Sequence, residues 1–195
     1  MKMAGKNNSG FTLVELLVGL ALTGIITSAL FSFMNAHSRS YVIQTDIQEM
    51  HQNARMAMDY IVNALQNAEE IAACDPNGNW ISTTQGAATT TYSFNQGANL
   101  FIPQAQLTGR ISVSQAGVGS GFIAAYITQD LNGDGSPDTP LFQCGPSLSP
   151  SSIIVTIIAR TRTPDRDYSR PGASVPFDGY RQIVLRRQVV PRNLT

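Results

Sequence analysis

The sequence predicts an α+β fold in which one long amino-terminal helix precedes an antiparallel β-sheet head. Two patterns indicate the helix. Residues 11–34 are apolar apart from Glu15, and residues 43–71 place apolar side chains at steps of three and four. Short runs rich in β-branched residues, separated by turn-forming residues, follow Gly78 and indicate the sheet. The chain of 195 residues is long enough for this helix and one small domain.

The apolar segment is long enough to cross a lipid bilayer. As a helix, residues 11–34 would reach roughly 36 Å, whereas the hydrocarbon core measures about 30 Å. A secretory signal peptide would have a shorter apolar core followed by a small-residue cleavage site, and neither is present. Lys2 and Lys6 precede the segment, and lysines in short flanks stay in the cytoplasm. We therefore expect a single-pass membrane anchor, with the rest of the chain outside the cytoplasm.

Glu15 is the unusual residue of this segment, because a carboxylate in a membrane helix costs a few kcal/mol and by default marks a functional residue with a partner. The leader MKMAGKNNSG ends in Gly10, Phe11 follows, and Glu15 occupies the fifth position after Gly10. This junction resembles the class III signal of type IV pilins and pseudopilins. An ordinary signal anchor, with Glu15 reaching towards the cytoplasmic interface, is the alternative.

The resemblance implies three events at the junction. A prepilin peptidase would cleave after Gly10, Phe11 would be N-methylated, and Glu15 would pair with the terminal amine of a neighbouring subunit during filament assembly. Such an ion pair is physically reasonable, since it removes two charges from hydrocarbon at once.

The expected organisation is that of a type IV pilin-like chain. The helix is predicted to run without proline to about Ala73, where the residues from Cys74 to Gly78 form a strong stop and turn signal. The predicted segments are a removed leader (1–10), a transmembrane and filament-core helix (11–34), its amphipathic continuation (35–73) and a β-rich periplasmic or extracellular head (74–195).

The head is predicted to hold a sheet of four or five antiparallel strands. The predicted strands cover residues 100–102, 110–114, 122–127, 152–160 and 180–190. Residues 83–99 are polar and rich in threonine, glutamine and glycine, which favours a surface loop with one short strand at 91–94. The last strand has a short apolar face and a basic opposite face, as expected for a strand at a sheet edge.

One loop of the head has the spacing of a calcium site. Oxygen-bearing side chains recur at alternate positions around Gly135, as in calcium loops of the EF-hand kind, although Leu141 stands where a bidentate glutamate is expected. The candidate ligands are Asp130, Asn132, Asp134, Ser136 and Asp138. The same residues also favour a solvated turn between strands, so a weak Ca²⁺ site and a plain turn are both open.

Cys74 and Cys144 are the two cysteines of the chain. The oxidising side of a membrane favours a disulfide between them, which would pin the end of the helix to the sheet. Two buried thiols are the alternative.

Charge is balanced overall but unevenly distributed. The chain has 13 basic and 13 acidic residues. The charged residues within 46–75 are mostly acidic, and those within 160–195 are mostly basic. The two regions could attract each other within or between subunits, or each could be an ordinary solvated face. A nucleic-acid role is not expected, because the arginines are spread over a proline-rich loop and a strand without a compact aromatic patch.

The sequence contains no catalytic constellation, so we expect no enzyme. His37 and His51 both lie on the predicted helix, and the glycines of residues 117–121 lack the strand-to-helix context of a nucleotide fingerprint. Many major pilins carry a kinking proline where this chain has Ser32, which argues against a major subunit. The ending RRQVVPRN resembles that of PilW-like minor pilins and of J-type minor pseudopilins.

The expected function is therefore that of a PilW-like minor pilin in the initiation, assembly or tip of a type IV pilus. The resemblance implies as partners the prepilin peptidase, other minor pilins, the major pilin, the inner-membrane assembly platform and membrane lipid. The alternatives are a J-type minor pseudopilin of a type II secretion system and a tip adhesin or DNA-binding module. Before assembly the chain would reside in the inner membrane, and afterwards in the filament.

Overall fold

The computed structural model describes residues 11–97, 108–131, 137–144, 152–165, 167–168 and 179–192. The chain divides into two units, Met1–Val42 and Ile43–Thr195. A long helix followed by antiparallel strands confirms the predicted α+β class. The elements in chain order are α1 (Leu13–Asn67), β1 (Glu70–Cys74), β2 (Trp80–Gln85), β3 (Ala88–Gln96), β4 (Thr108–Gln115), β5 (Gly119–Thr128), β6 (Phe142–Gln143), β7 (Ile153–Arg160) and β8 (Gln182–Val189).

Helix α1 ends at Asn67, so the predicted end near Ala73 is wrong. The backbone N–H of Glu69 donates to the carbonyl of Thr84, and β1 then pairs with β2. The carbonyl of Gln66, in the last turn of the helix, accepts the N–H of Arg192. Residues 68–73 suit a helix locally, but pairing with β2 provides them with strand hydrogen bonds instead. The predicted segment 35–73 is thus part helix and part strand, and the strands of the head begin at Glu70 rather than at residue 74.

The predicted surface loop at residues 83–99 is largely a β-hairpin. Strands β2 and β3 pair from Trp80 opposite Ser93 to Gln85 opposite Ala88. Gly86, with φ of 59°, stands first in the two-residue turn, where tight hairpins favour glycine. The threonine-rich composition favoured a loop only by its polarity, whereas β-branched threonines also suit strands.

The described strands form one antiparallel sheet. Its order is β1-β2-β3-β4-β5-β7-β6, and β8 pairs with β7. The described residues therefore contain eight strands rather than four or five. The predicted strands at 110–114, 122–127, 152–160 and 180–190 are confirmed as β4, β5, β7 and β8, whereas the one at 100–102 lies outside the described residues. In the described sheet β8 contacts β7 alone, so it is an edge strand as predicted.

The core of the second unit lies between the upper part of α1 and the sheet. The helix contributes the face that the sequence pattern predicted, with Ala54, Ala57 and Ile61 fully buried, and Leu65, which was not part of that pattern, is fully buried as well. Small alanines at two of these positions let the sheet approach the helix closely, and burying Ile61 contributes about 1.5–3 kcal/mol. The buried sheet residues include Ile81, Tyr92, Ile111, Ile127, Val155 and Ile157.

Candidate functional site

The first turn of α1 is closed by a reciprocal pair of side chains. The backbone N–H and the hydroxyl of Thr12 both donate to Oε2 of Glu15, each over 2.9 Å. The N–H of Glu15 donates in return to Oγ1 of Thr12 over 3.3 Å. This is a capping box, in which two helix-terminal N–H groups find side-chain acceptors. A carboxylate at this position also interacts favourably with the helix dipole.

The role of Thr12 was not predicted from the sequence. The signal for it is the pattern Thr12-x-x-Glu15 before an apolar run. That pattern is a recognised signal for a helix start. The structure therefore gives Glu15 a partner inside its own chain, and it places this carboxylate four residues from Phe11. Gly10 lies outside the described residues.

The apolar part of α1 has no protein covering it. An 18-residue window has a mean hydropathy of 2.1, and none of it is buried inside the molecule. Phe11 is 87% exposed, and Leu13, Phe31 and Phe33 are more than half exposed. By length and composition, α1 is the one helix of the described residues that can cross a membrane. Exposed apolar surface on this scale marks contact with lipid or with other proteins.

Polar side chains within this apolar stretch find their partners locally. The hydroxyl of Thr23 donates to the carbonyl of Gly19, that of Thr27 to the carbonyl of Thr23, and that of Ser28 to the carbonyl of Ile25, all over 2.7–2.8 Å. Such bonds leave these hydroxyl donors satisfied without water. The segment therefore suits surroundings that offer no hydrogen bonds, such as lipid.

Two of the five predicted calcium ligands lie in the described residues, at the two ends of the loop. Asp130 is 5% exposed, and its N–H donates to Oγ1 of Thr128 over 3.1 Å. Asp138 accepts the N–H of Leu131 over 3.0 Å, and its own N–H donates to the carbonyl of Gln129 over 2.9 Å. These bonds close the base of the loop and bring its ends together.

The remaining predicted ligands, Asn132, Asp134 and Ser136, lie outside the described residues. The described residues contain no group of three or more histidine, cysteine, aspartate or glutamate side chains placed to hold a metal ion. Asp130 and Asp138 supply the carboxylate oxygens that a hard cation such as Ca²⁺ prefers. The oxygen chemistry of these two ends fits a calcium loop, but two carboxylates do not make a complete ligand set.

Cys74 and Cys144 form a disulfide, with their Cα atoms 6.3 Å apart. Because Cys74 ends β1 rather than a helix, the bridge joins the strand β1 to the residue that follows β6. Next to it, the carbonyl of Gly78 accepts the N–H of Phe142 over 3.0 Å. The bridge therefore anchors the turn at residues 75–79 to the segment at residues 140–144.

The acidic helix and the basic carboxyl-terminal region make contact within the chain. Nη1 of Arg187 lies 3.4 Å from Oδ1 of Asp59, and both side chains are more than half exposed. Oδ2 of Asp46 accepts the backbone N–H of Thr163 over 3.0 Å and also its hydroxyl. A surface ion pair stabilises a protein by at most about 1 kcal/mol. These bonds hold the segment after β7 and the strand β8 along α1. Their contribution to the free energy of unfolding is small.

Comparison with known proteins gives one match. Residues 5–31 match the family model described as the prokaryotic N-terminal methylation motif. No curated protein and no solved structure matches the chain. The matched residues include Gly10, Phe11, Thr12 and Glu15, and the strands lie outside them.

The match supports a type IV pilin-like or pseudopilin-like protein with a structural, non-enzymatic role. A motif of this type implies processing by a prepilin peptidase and partners in pilus assembly in general. Together with the exposed apolar helix, it fits membrane anchoring before assembly into a pilus. The amino-terminal region of this chain is therefore similar to that of type IV pilin-like proteins.

Proposed function

We propose that this chain is a PilW-like minor pilin that takes part in the initiation, assembly or tip of a type IV pilus. The observation that carries the proposal is the methylation-motif match over residues 5–31, which covers the start of an uncovered apolar helix. The capping box of Thr12 and Glu15 orients the carboxylate at that helix start. In this proposal the chain is cleaved after Gly10, and Phe11 becomes the methylated amino terminus.

Glu15 has a defined task in this proposal. The described bonds to its carboxylate all end on Oε2, and Oε1 is the oxygen that would accept the terminal ammonium of a neighbouring subunit. The capping box holds the side chain in one orientation before the partner arrives, so less conformational entropy is lost when the pair forms. In the hydrocarbon core, the pairing would let two opposite charges compensate each other, each of which is costly there alone.

A minor rather than a major subunit is favoured by two features. Helix α1 passes through Ser32 without a proline, where many major pilins have a kink. The ending RRQVVPRN is similar to that of PilW-like minor pilins, and also to that of J-type minor pseudopilins. The proposed partners are the prepilin peptidase, other minor pilins, the major pilin and the inner-membrane assembly platform.

Mass spectrometry of sheared surface filaments and of membranes from the native host tests this function. A minor pilin predicts trace amounts of a chain that begins with methylated Phe11, present in the filaments and far below the main subunit. A processed chain confined to membranes would instead assign it to a secretion pseudopilin. A chain that keeps Lys2 and Lys6 would defeat the pilin proposal, because the leader would not have been removed.

We also propose that the loop from Asp130 to Asp138 binds Ca²⁺. The support is the closed base of this loop, where the carbonyl of Gln129 accepts the N–H groups of Asp138 and Thr139. Asp134 would supply a further carboxylate at the centre of the loop. With Leu141 in place of the bidentate glutamate, the expected dissociation constant is that of extracellular modules, about 10⁻⁴ to 10⁻³ M.

Thermal unfolding of the full chain with millimolar Ca²⁺ or with EDTA tests the metal site. The wild type should melt at a higher temperature with Ca²⁺, since a ligand that binds only the folded state stabilises it. Asp134→Ala should lose this response and match the wild type in EDTA, whereas Asp59→Ala on the exposed side of α1 should keep it. Equal melting of the wild type in both buffers would remove the calcium proposal.

A further inference from the structure

A groove in the head is lined, among the described residues, by side chains that carry no charge. Its volume is about 320 Å³, at the lower end of the range of about 300–1,000 Å³ for small-molecule sites. Three separate segments form it: the turn before β2, the residue after β5, and the segment before β6. The described lining residues are Asn77, Asn79, Gln129, Pro137, Thr139 and Pro140.

The walls of the groove are held in place by a network of hydrogen bonds. Oδ2 of Asp75 accepts the N–H of Asn79 over 2.9 Å, and the carbonyl of Asn79 accepts the N–H of Phe94 over 2.7 Å. On the other side, the carbonyl of Gln129 accepts the N–H groups of Asp138 and Thr139. Because both walls are fixed before any ligand arrives, binding would require little ordering of the protein.

Two carboxamides meet inside this frame and leave both kinds of hydrogen-bonding group for a ligand. Nε2 of Gln129 donates to Oδ1 of Asn79 over 3.0 Å, and Gln129 is only 7% exposed. This bond pairs the amide N–H group of Gln129 with the amide oxygen of Asn79. In the described part of the chain, Nδ2 of Asn79 remains as a donor and Oε1 of Gln129 as an acceptor.

The chemistry of the lining selects among ligand classes. No described lining residue is charged, so a phosphate, a carboxylate or an ammonium group would lose its hydration without a counter-charge. The described part of the lining also contains no large apolar side chain to anchor a hydrophobic residue of a peptide. A sugar hydroxyl both donates and accepts, which matches the two free amide atoms, and the proline rings offer C–H surface to a pyranose face.

We propose that this groove binds a neutral saccharide. The assignment is independent of the proposed role in a filament, because it concerns only residues of the sheet and its turns. It differs from the contact surface expected for a tip adhesin from sequence, since that expectation concerned the polar loop at residues 83–99 and the proline-rich loop at residues 163–179.

Ligand-observed NMR and titration with the full chain test the proposal. The protein should be kept in a zwitterionic detergent, because a detergent with a sugar headgroup would compete for the groove. The probes are glucose, galactose, N-acetylglucosamine and lactose, with an uncharged blocked tripeptide as a comparison. We expect saturable binding of at least one sugar in a buffer of fixed Ca²⁺ concentration.

Variants of the lining connect the binding to the groove. Asn77→Ala and Thr139→Val should each weaken the sugar about tenfold, the equivalent of one lost hydrogen bond of about 1.4 kcal/mol. Gln129→Glu should abolish binding, because it introduces a buried charge and removes the donor to Asn79. Asn63→Ala, which deletes an exposed carboxamide on α1, is the matched control and should bind as the wild type.

Asn77 is exposed, so its variant should fold normally even if the buried Gln129 variant does not. Two results would each overturn the proposal: no saturable binding of any of the four sugars, or sugar binding that Asn77→Ala and Thr139→Val both leave unchanged. Preferential binding of the blocked tripeptide would also overturn it and would reassign the groove to a peptide.

Discussion

The carboxylate of Asp165 and the guanidinium of Arg181 form a close ion pair between the segment after β7 and the residue before β8. Oδ2 of Asp165 accepts from Nε and Nη2 of Arg181 over 3.0 and 2.7 Å, and Asp165 is 5% exposed. The N–H of Asp165 also donates to the carbonyl of Gly179 over 2.7 Å. The guanidinium lies 4.8 Å from the ring centroid of Tyr168. The ion pair and the backbone hydrogen bond therefore hold Asp165 next to residues 179–181.

This ion pair predicts an acid-sensitive contribution to stability. The hydrogen bonds from Arg181 hold the pKa of Asp165 below its ordinary value of 3.8, against the opposing effect of burial. A lowered pKa means that the stabilisation is complete above pH 3.8 and is lost as the pH falls through the folded-state pKa. Asp165→Asn should therefore destabilise the chain at pH 7, by about 1–3 kcal/mol, and lose less stability than the wild type on acidification.

Unfolding curves from pH 7 to pH 2 measure this effect. Asp59→Asn is the matched control, since the ion pair of Asp59 with Arg187 is exposed and its loss should change the unfolding free energy at pH 7 by less than about 1 kcal/mol. If Asp165→Asn shows the same slope of stability against acidic pH as the wild type, the pair does not contribute in this way.

Glu15 should be needed for incorporation into filaments but not for cleavage or membrane insertion. Glu15→Ala is expected to yield processed, membrane-inserted protein that is largely missing from filaments, because the pairing between subunits requires the charged carboxylate, whereas cleavage and insertion do not. Immunoblots of membranes and sheared filaments measure the two pools.

Two further variants separate the charge of Glu15 from its role in the capping box. Glu15→Gln keeps an acceptor suited to the box and removes the charge, so it should fail in filaments as Glu15→Ala does. Thr12→Ala removes the box and keeps the charge, at a cost of about 1 kcal/mol in helix stability, and should reduce incorporation less. Normal incorporation of Glu15→Gln would show that the residue serves only to start the helix.

Gly78 and Gly86 should respond differently to alanine. Both have positive φ, 72° and 59°, but an added Cβ at Gly78 would overlap the carbonyl oxygen of Phe142 and Cβ of Pro140, whereas at Gly86 it would meet nothing within 4 Å. Gly86→Ala should cost about 1–2 kcal/mol of backbone strain. Gly78→Ala should cost more, about 3 kcal/mol or above, because the backbone must move. Chemical unfolding of the two variants side by side measures the difference, and equal costs would contradict the close approach at Gly78.

The disulfide should account for a large share of the stability of the head. Cys74 and Cys144 are separated by 70 residues, and closing a loop of that length contributes about 4 kcal/mol in the chain-entropy model. Reduction of the wild type should lower its unfolding free energy accordingly. The double variant Cys74→Ser with Cys144→Ser should be equally destabilised and insensitive to reductant; a wild type that is indifferent to reductant would contradict this contribution.

Much of the architecture could be predicted from sequence because its signals are local. The apolar run after Gly10, the three-and-four spacing up to Ile61 and the β-rich runs of β7 and β8 each depend on neighbouring residues. The predictions that were wrong concern features that depend on tertiary contacts. The end of α1 depends on the contact of Glu69 with Thr84, and the threonine-rich hairpin depends on β4 as a further neighbour of β3.

The candidate site divides in the same way. The motif that contains Gly10, Phe11 and Glu15 depends on spacing in one short segment, and the Thr12 capping box could have been predicted from the same segment. The groove was not predictable, because Asn79 and Gln129 lie fifty residues apart in the chain and meet through one hydrogen bond. The apolar helix, the methylation motif and the α+β class could be predicted from the sequence, since hydropathy and spacing act between neighbouring residues. The end of the helix, the pairing of the strands and the meeting of the two amides depend on contacts between residues distant in the chain, so they became visible only in the folded molecule.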